Sequence, residues 1–64
     1  MYVNGQQITI QNKISLNDFL IKEGFDINRV AVEKNGNIVP KKSFETEMLS
    51  DNDKLEIVHF VGGG

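Results

Sequence analysis

The 64-residue chain has no cysteine and no tryptophan, and only one proline, one histidine and one tyrosine. Without cysteine there is no disulfide framework, no thiolate nucleophile and no zinc–thiolate cluster, so the chain has no covalent staple and fits a reducing compartment. Long apolar runs are missing too. The stretches present are a few residues each, far below a membrane span, and the first residues lack the basic-then-apolar pattern of a secretory signal. A soluble, cytoplasmic protein is expected. An excess of positive charge is also absent. Seven basic residues against nine acidic ones give a net charge of -2, which argues against nucleic-acid binding, because displacing counterions needs a cationic face. Acidic residues dominate the second half, where Glu45, Glu47, Asp51, Asp53 and Glu56 outnumber Lys41, Lys42 and Lys54, so electrostatic steering is expected near the C-terminal end.

Catalytic groups are equally scarce. His59 stands alone, and Ser15, Ser43 and Ser50 read as cap, loop and turn residues, so no nucleophile–base–acid set can be assembled. Asp51 and Asp53 sit two apart in a turn, where side-chain-to-backbone hydrogen bonds explain them without acid–base work. No metal site is expected. Asn35-Gly36-Asn37 and the final glycines do not precede a helix whose amides could cradle a phosphate.

What is present is local structural grammar. Met1-Tyr2-Val3 and Ile8-Thr9-Ile10 flank Asn4-Gly5, the dipeptide that supplies the positive φ angles of a type I′ hairpin turn. Ser15 followed by Asp18 reads as an N-cap with an acidic third residue; Leu16, Phe19 and Leu20 then recur at helical spacing until Gly24 offers a left-handed terminus. Val30-Ala31-Val32-Glu33 and Ile38-Val39 bracket a second turn, Asn35-Gly36, and Pro40 removes a ladder donor, which places the second run at a sheet edge. Phe44 and Met48-Leu49 are expected to plug the bottom of the core, and Asp51-Asn52-Asp53 is a turn before a final strand from Lys54 to Phe60.

This order of elements in so short a chain predicts an α+β fold of the ubiquitin-like β-grasp type, a mixed sheet of about five strands wrapped around one helix. Strand alternation places Val3, Ile8, Ile10, Val30, Val32, Leu55 and Ile57 inward, and Tyr2, Val58 and Phe60 on the open face as a docking patch. The division expected is a domain of residues 1–60 and a flexible glycine-rich tail of residues 61–64. Gly62-Gly63-Gly64 gains little from packing, and ordering it costs more backbone entropy than ordering any other tripeptide. A frayed end is one account of it. The other is insertion into a narrow channel of a partner enzyme, where only a side-chain-free strand presents a carboxylate without steric cost; four extended residues reach about 13 Å. A carboxylate is a poor electrophile, so transfer of AMP from ATP, followed by attack of a sulfur or amine nucleophile on the acyl carbon, is the chemistry available to it. The chain would then be a substrate, not an enzyme.

The segments Val30-Ala31-Val32-Glu33 with Asn35-Gly36, Ile38-Val39-Pro40, Asp51-Asn52-Asp53-Lys54-Leu55-Glu56-Ile57-Val58 and the ending His59-Phe60-Val61-Gly62-Gly63-Gly64 closely resemble the thiamine-biosynthesis sulfur carriers of the ThiS family. The resemblance runs the length of the chain. One departure is Asn52, where the family usually has glycine between two aspartates; asparagine tolerates the left-handed conformation, so the turn is expected to persist. The resemblance implies that Gly64 is adenylated by an E1-like enzyme using ATP and magnesium, then converted to a thiocarboxylate with sulfur relayed from a cysteine desulfurase. It further implies delivery of that sulfur to thiazole synthase, with Gly62 and Gly63 permitting insertion and no cofactor resident on the carrier. Tyr2, Val58, Phe60 and Val61 are the docking residues expected by position, on a carrier that is monomeric when free and binds neither nucleic acid nor membrane. A molybdopterin-synthase small-subunit type of carrier, a ubiquitin-like protein modifier and a plain interaction module remain the competing readings at this point.

Overall fold

The computed structural model describes residues 1–61. Two asparagine–glycine turns organise it. Asn4 (φ 51°) and Gly5 (φ 84°) connect β1 (Tyr2–Val3) to β2 (Gln6–Gln7), and Asn35 (φ 53°) and Gly36 (φ 87°) connect β4 (Val30–Lys34) to β5 (Asn37–Val39). Paired positive φ angles match the right-handed twist of the strands they join, which is why both hairpins close with two residues. The return strand of the first hairpin is displaced from its expected place. Gln6–Gln7 pairs with β1, the ladder reaches Ile8 through its N–H to the Met1 carbonyl (2.8 Å), and the Ile10 N–H then goes to Asp51 Oδ1 (3.2 Å). A two-residue turn fixes register from the turn outward, so the residues next to Gly5 form the strand whatever their polarity.

Helix α1 (Leu16–Lys22) follows β3 (Ile14–Ser15). Ser15 Oγ accepts the Asp18 N–H (3.0 Å), as its cap position predicts. At the other end the Gly24 N–H donates to Ile21 O (3.1 Å) and the Phe25 N–H to Leu20 O (2.9 Å), the paired bonds of a Schellman terminus, with Gly24 at φ 84°. A Cβ at Gly24 would meet no atom within 4 Å. Gly24→Ala is therefore expected to cost only the left-handed backbone penalty, about 1–2 kcal/mol, which thermal unfolding would register as a fall of roughly 4–16 °C in a domain this small.

The main sheet has the order β2-β1-β7-β4-β5, with β7 (Lys54–His59) at its centre, parallel to β1 and antiparallel to β4. One face covers α1 in the β-grasp arrangement that the element order predicts. Leu16, Phe19 and Leu20 from the helix form one core with Val3, Val30, Val32, Leu55 and Ile57, and Ile8 and Ile10 pack against it half-buried. Phe44 and Leu49 close the core, at 2% and 0% exposure, but Met48 is 47% exposed. The reason is a small second sheet: β6 (Met48–Leu49) pairs with β3, and strand alternation allows only one of its two residues to face inward. The turn at Asn52 persists as expected, although Asn52 does not use the left-handed conformation. Among the described residues the only non-glycine positions with positive φ are Asn4 and Asn35, and the 50–53 turn closes through the Asp53 N–H to Ser50 O (3.1 Å) without a left-handed residue.

Candidate functional site

Strand β7 is fastened along both flanks. The two turn asparagines do more than supply φ: their side chains act as extra peptide units. Asn4 Nδ2 donates to Ile57 O (3.1 Å) while its Oδ1 accepts the Ile57 N–H (2.7 Å), and Asn35 Oδ1 accepts the Lys54 N–H (2.9 Å) while its Nδ2 donates to Asp53 Oδ1 (2.9 Å). The asparagine–glycine dipeptides encode the turns but not these clamps, because the partner positions are 53 and 18 or 19 residues away. At the far end of β7 the Phe60 N–H donates to Arg29 O (2.7 Å), and Val61 beyond it is 91% exposed. The strand that leads into Gly62-Gly63-Gly64 is thus rigidly held up to Phe60. Gly62, Gly63 and Gly64, the residues assigned to insertion and to the reacting carboxylate, lie outside the described residues.

Of the four expected docking residues, Val58, Phe60 and Val61 are exposed toward the exit end of β7. Tyr2 is exposed as well but stands opposite Lys54, at the start of β7. Four strand residues, roughly 13 Å, separate that row from Val58, so Tyr2 does not join the others. Ile38, which the sequence reading passed over, is 75% exposed on the same open face as Val58. The signal was available: the Asn35-Gly36 turn sets Val32 opposite Val39 and Glu33 opposite Ile38, so an inward Val32 forces Ile38 outward. Ala31, Glu33, Ile38, Glu56 and Val58 line a shallow depression of about 100 Å³ there. A larger concavity of about 420 Å³ lies under residues 9–14 beside the helix, and no residue of β7 lines it.

Of the acidic residues of the second half, Asp51, Asp53 and Glu47 do not gather at the exit. Asp51 and Asp53 precede β7, and Glu47 precedes β6. Lys34 Nζ donates to Glu47 Oε2 (2.7 Å) and Met48 O (3.0 Å) and lies 3.7 Å from Asp53 Oδ2. The Glu47 hydrogen bond raises the Lys34 ammonium above its ordinary range, against the opposing effect of partial burial. Burial pushes the Asp53 carboxyl up, but hydrogen bonds from the Asn35 amide and the Ser50 N–H, together with the Lys34 charge, outweigh it and hold the group below its ordinary value. A carboxyl lowered by folding stabilises the fold above its unfolded-state pKa, and that contribution is lost as pH falls through the folded value. The urea midpoint is therefore expected to drop as pH falls below about 4, with Asp51, lowered by hydrogen bonds from the Met1 amine and the Ile10 N–H, acting in the same direction. Asp53→Asn should flatten that slope; an unchanged slope would show that Asp53 does not set it.

Catalytic groups remain apart. Ser15 is engaged in the helix cap, Ser50 Oγ is directed at Asp53 (3.5 Å), and His59 lies at the opposite end of β7, paired with Val30. No cluster of three or more metal-ligating side chains exists among the described residues, and no helix among them is long and apolar enough to cross a membrane.

Comparison with known proteins bears on the same strand and tail. Residues 1–64 match the model of the ThiS family. The chain is 34% identical over 65 residues to the sulfur carrier protein ThiS of Bacillus subtilis, covering all of this chain and 98% of that one. It is 41% identical over 64 residues to a thiazole synthase of Paramagnetospirillum magneticum, where the match takes in the whole of this chain but spans only 20% of the relative's length. Among solved structures, the crystal structure of the thiamine biosynthesis protein (ThiS) from Geobacter metallireducens is similar with a TM-score of 0.80 at 27% identity, covering 98% of this chain and 96% of the other.

Proposed function

The chain belongs to the ThiS family, and from that premise we propose that it carries sulfur for thiazole formation in thiamine biosynthesis, as a protein substrate and not as a catalyst. The reacting group is the carboxylate of Gly64. An E1-like enzyme transfers AMP from ATP, with magnesium, to that carboxylate and releases pyrophosphate. The terminal sulfur of a persulfide supplied through a cysteine desulfurase then attacks the acyl carbon, AMP leaves with the electron pair of the broken C–O bond, and a thiol reductant cleaves the S–S bond of the resulting acyl disulfide, releasing the thiocarboxylate as the thiol is oxidised to a disulfide. Thiazole synthase is the recipient. Gly62 and Gly63 leave room around the acyl carbon for the nucleophile and for oxyanion donors from the partner.

The observation that carries this reading is the match to the ThiS family over the full length of the chain, the Gly-Gly-Gly end included. The held strand β7 supports it, since fastening up to Phe60 gives a partner a fixed starting point for the residues that follow. The test is C-terminal-fragment mass spectrometry of the protein isolated from its own cells. Replacement of one terminal oxygen by sulfur on the fragment that ends at Gly64 is the expected result; the fragment is needed because oxidation of Met1 or Met48 gives nearly the same mass change. A carboxylate that persists after incubation with ATP, the adenylating enzyme and a sulfur source would overturn the proposal.

A further inference from the structure

Glu33 and Glu56 have no structural explanation. They stand directly opposite each other on the β4–β7 ladder, both exposed. Like charges in that relation destabilise a sheet, and neither takes part in the ion pairs formed among the described residues. Sequences keep such local conflicts mostly where function requires them. The surroundings show what would resolve this one. Ile38 stands opposite Glu33 in the next strand and Val58 opposite Ala31, and these four residues line, with Glu56, the depression of about 100 Å³. Its lining thus sets the apolar Ala31, Ile38 and Val58 beside two carboxylates, Glu33 and Glu56.

A long basic side chain has the complementary form: its alkyl stem covers apolar surface while its cation reaches a polar end, and a guanidinium can bond two carboxylates at once. We propose that this groove receives an arginine or lysine side chain of thiazole synthase, its stem on Ala31 between Ile38 and Val58 and its cation between Glu33 and Glu56. The inference rests on the carrier reading above. Two observations favour that occupant. A sequence matching this whole chain occurs within a relative named as a thiazole synthase. The groove also shares β7 with the route to Gly64: six residues lead from Val58 to it, a length of chain that can span at most about 20 Å, so an enzyme seated on the groove has the terminus within range of a single active site. Ile21 is also exposed, but it belongs to the helix on the opposite side of the sheet.

The experiment is calorimetric titration of the full chain into purified thiazole synthase from the same organism, at low and at high salt, with urea unfolding measured on each variant. The double variant Glu33→Gln with Glu56→Gln is expected to bind about tenfold more weakly or worse, the loss of roughly one good contact, and to lose most of the salt dependence, while its unfolding midpoint holds or rises because a repulsion is gone. Ile38→Glu should weaken binding at least as much, and Ile21→Glu should leave it unchanged. Wild-type affinity and salt dependence in the double variant would overturn the groove assignment, as would failure of the unaltered chain to bind. The carrier reading is judged separately by thiocarboxylate formation, so the two can fail independently.

Discussion

Deleting Gly63 and Gly64 is expected to abolish thiocarboxylate formation and to leave the folding of the domain untouched. Among the described residues the last backbone hydrogen bond of β7 and its extension is the one from Phe60 to Arg29, and the buried core ends earlier still, at Ile57. Shortening the chain by two residues therefore leaves the urea midpoint where it was. It also shortens the maximal reach of the terminal carboxylate by about 7 Å. Enzymic steps lose about a hundredfold for a misplacement near 1 Å, so a shift of this size places the carboxylate out of reach of an active site built for the full tail. Gly63→Val keeps the length and adds a branched side chain beside the acyl carbon, and it should reduce formation without abolishing it. Mass spectrometry of the reaction with ATP, adenylating enzyme and sulfur donor reads all three proteins. Thiocarboxylate on the shortened chain at the wild-type rate would show that the length of the glycine tail does not position the reacting carboxylate.

The second large effect is on stability and separates two phenylalanines. Phe44 is 2% exposed and Phe60 is 55% exposed. Phe44 follows the 3-10 turn Lys41–Ser43, and its carbonyl accepts the Asn17 N–H (2.9 Å), so the residue joins the lower crossover to the first turn of the helix. Truncation of a buried phenylalanine costs about 3–5 kcal/mol, from lost transfer energy and the cavity left behind. A single core in a domain of this size rarely supplies more than about 3–5 kcal/mol, and there is no disulfide to supplement it. Phe44→Ala is thus expected to be largely unfolded at growth temperature. Phe60→Ala should stay within about 0.5 kcal/mol of the parent. Urea denaturation followed by circular dichroism decides it; a cooperative Phe44→Ala transition near the parent midpoint would show that the core closes without that ring.

Both effects concern residues that the sequence singled out, and the reason they were legible is local. Phe44 stands isolated in a polar stretch, and three successive glycines have few structural uses. Tyr2 shows the limit of such reasoning. Alternation assigned it correctly to the open face, but only the parallel pairing of β1 with β7 places it beside Lys54, at the wrong end for the tail. Glu47, Asp51 and Asp53 mislead in the same way. Counted along the chain they suggest a negative surface near the exit, whereas Glu47 and Asp53 are drawn toward Lys34 and Asp51 toward the Met1 amine.

The sequence by itself determined what depends on a few adjacent residues: the two asparagine–glycine turns, the Ser15 cap, the Gly24 terminus, the inward alternation of the strands, and hence the β-grasp order. Those features follow from φ preference, side-chain reach within one turn and the twofold period of a strand, all encoded within a handful of positions. Tertiary structure alone decided which surfaces meet. The Asn4 side chain on Ile57, Lys34 between Glu47 and Asp53, and Glu33 opposite Glu56 join residues that the chain separates by up to 53 positions. No local rule specifies such neighbours, because they are set by the order in which strands are laid side by side in the sheet.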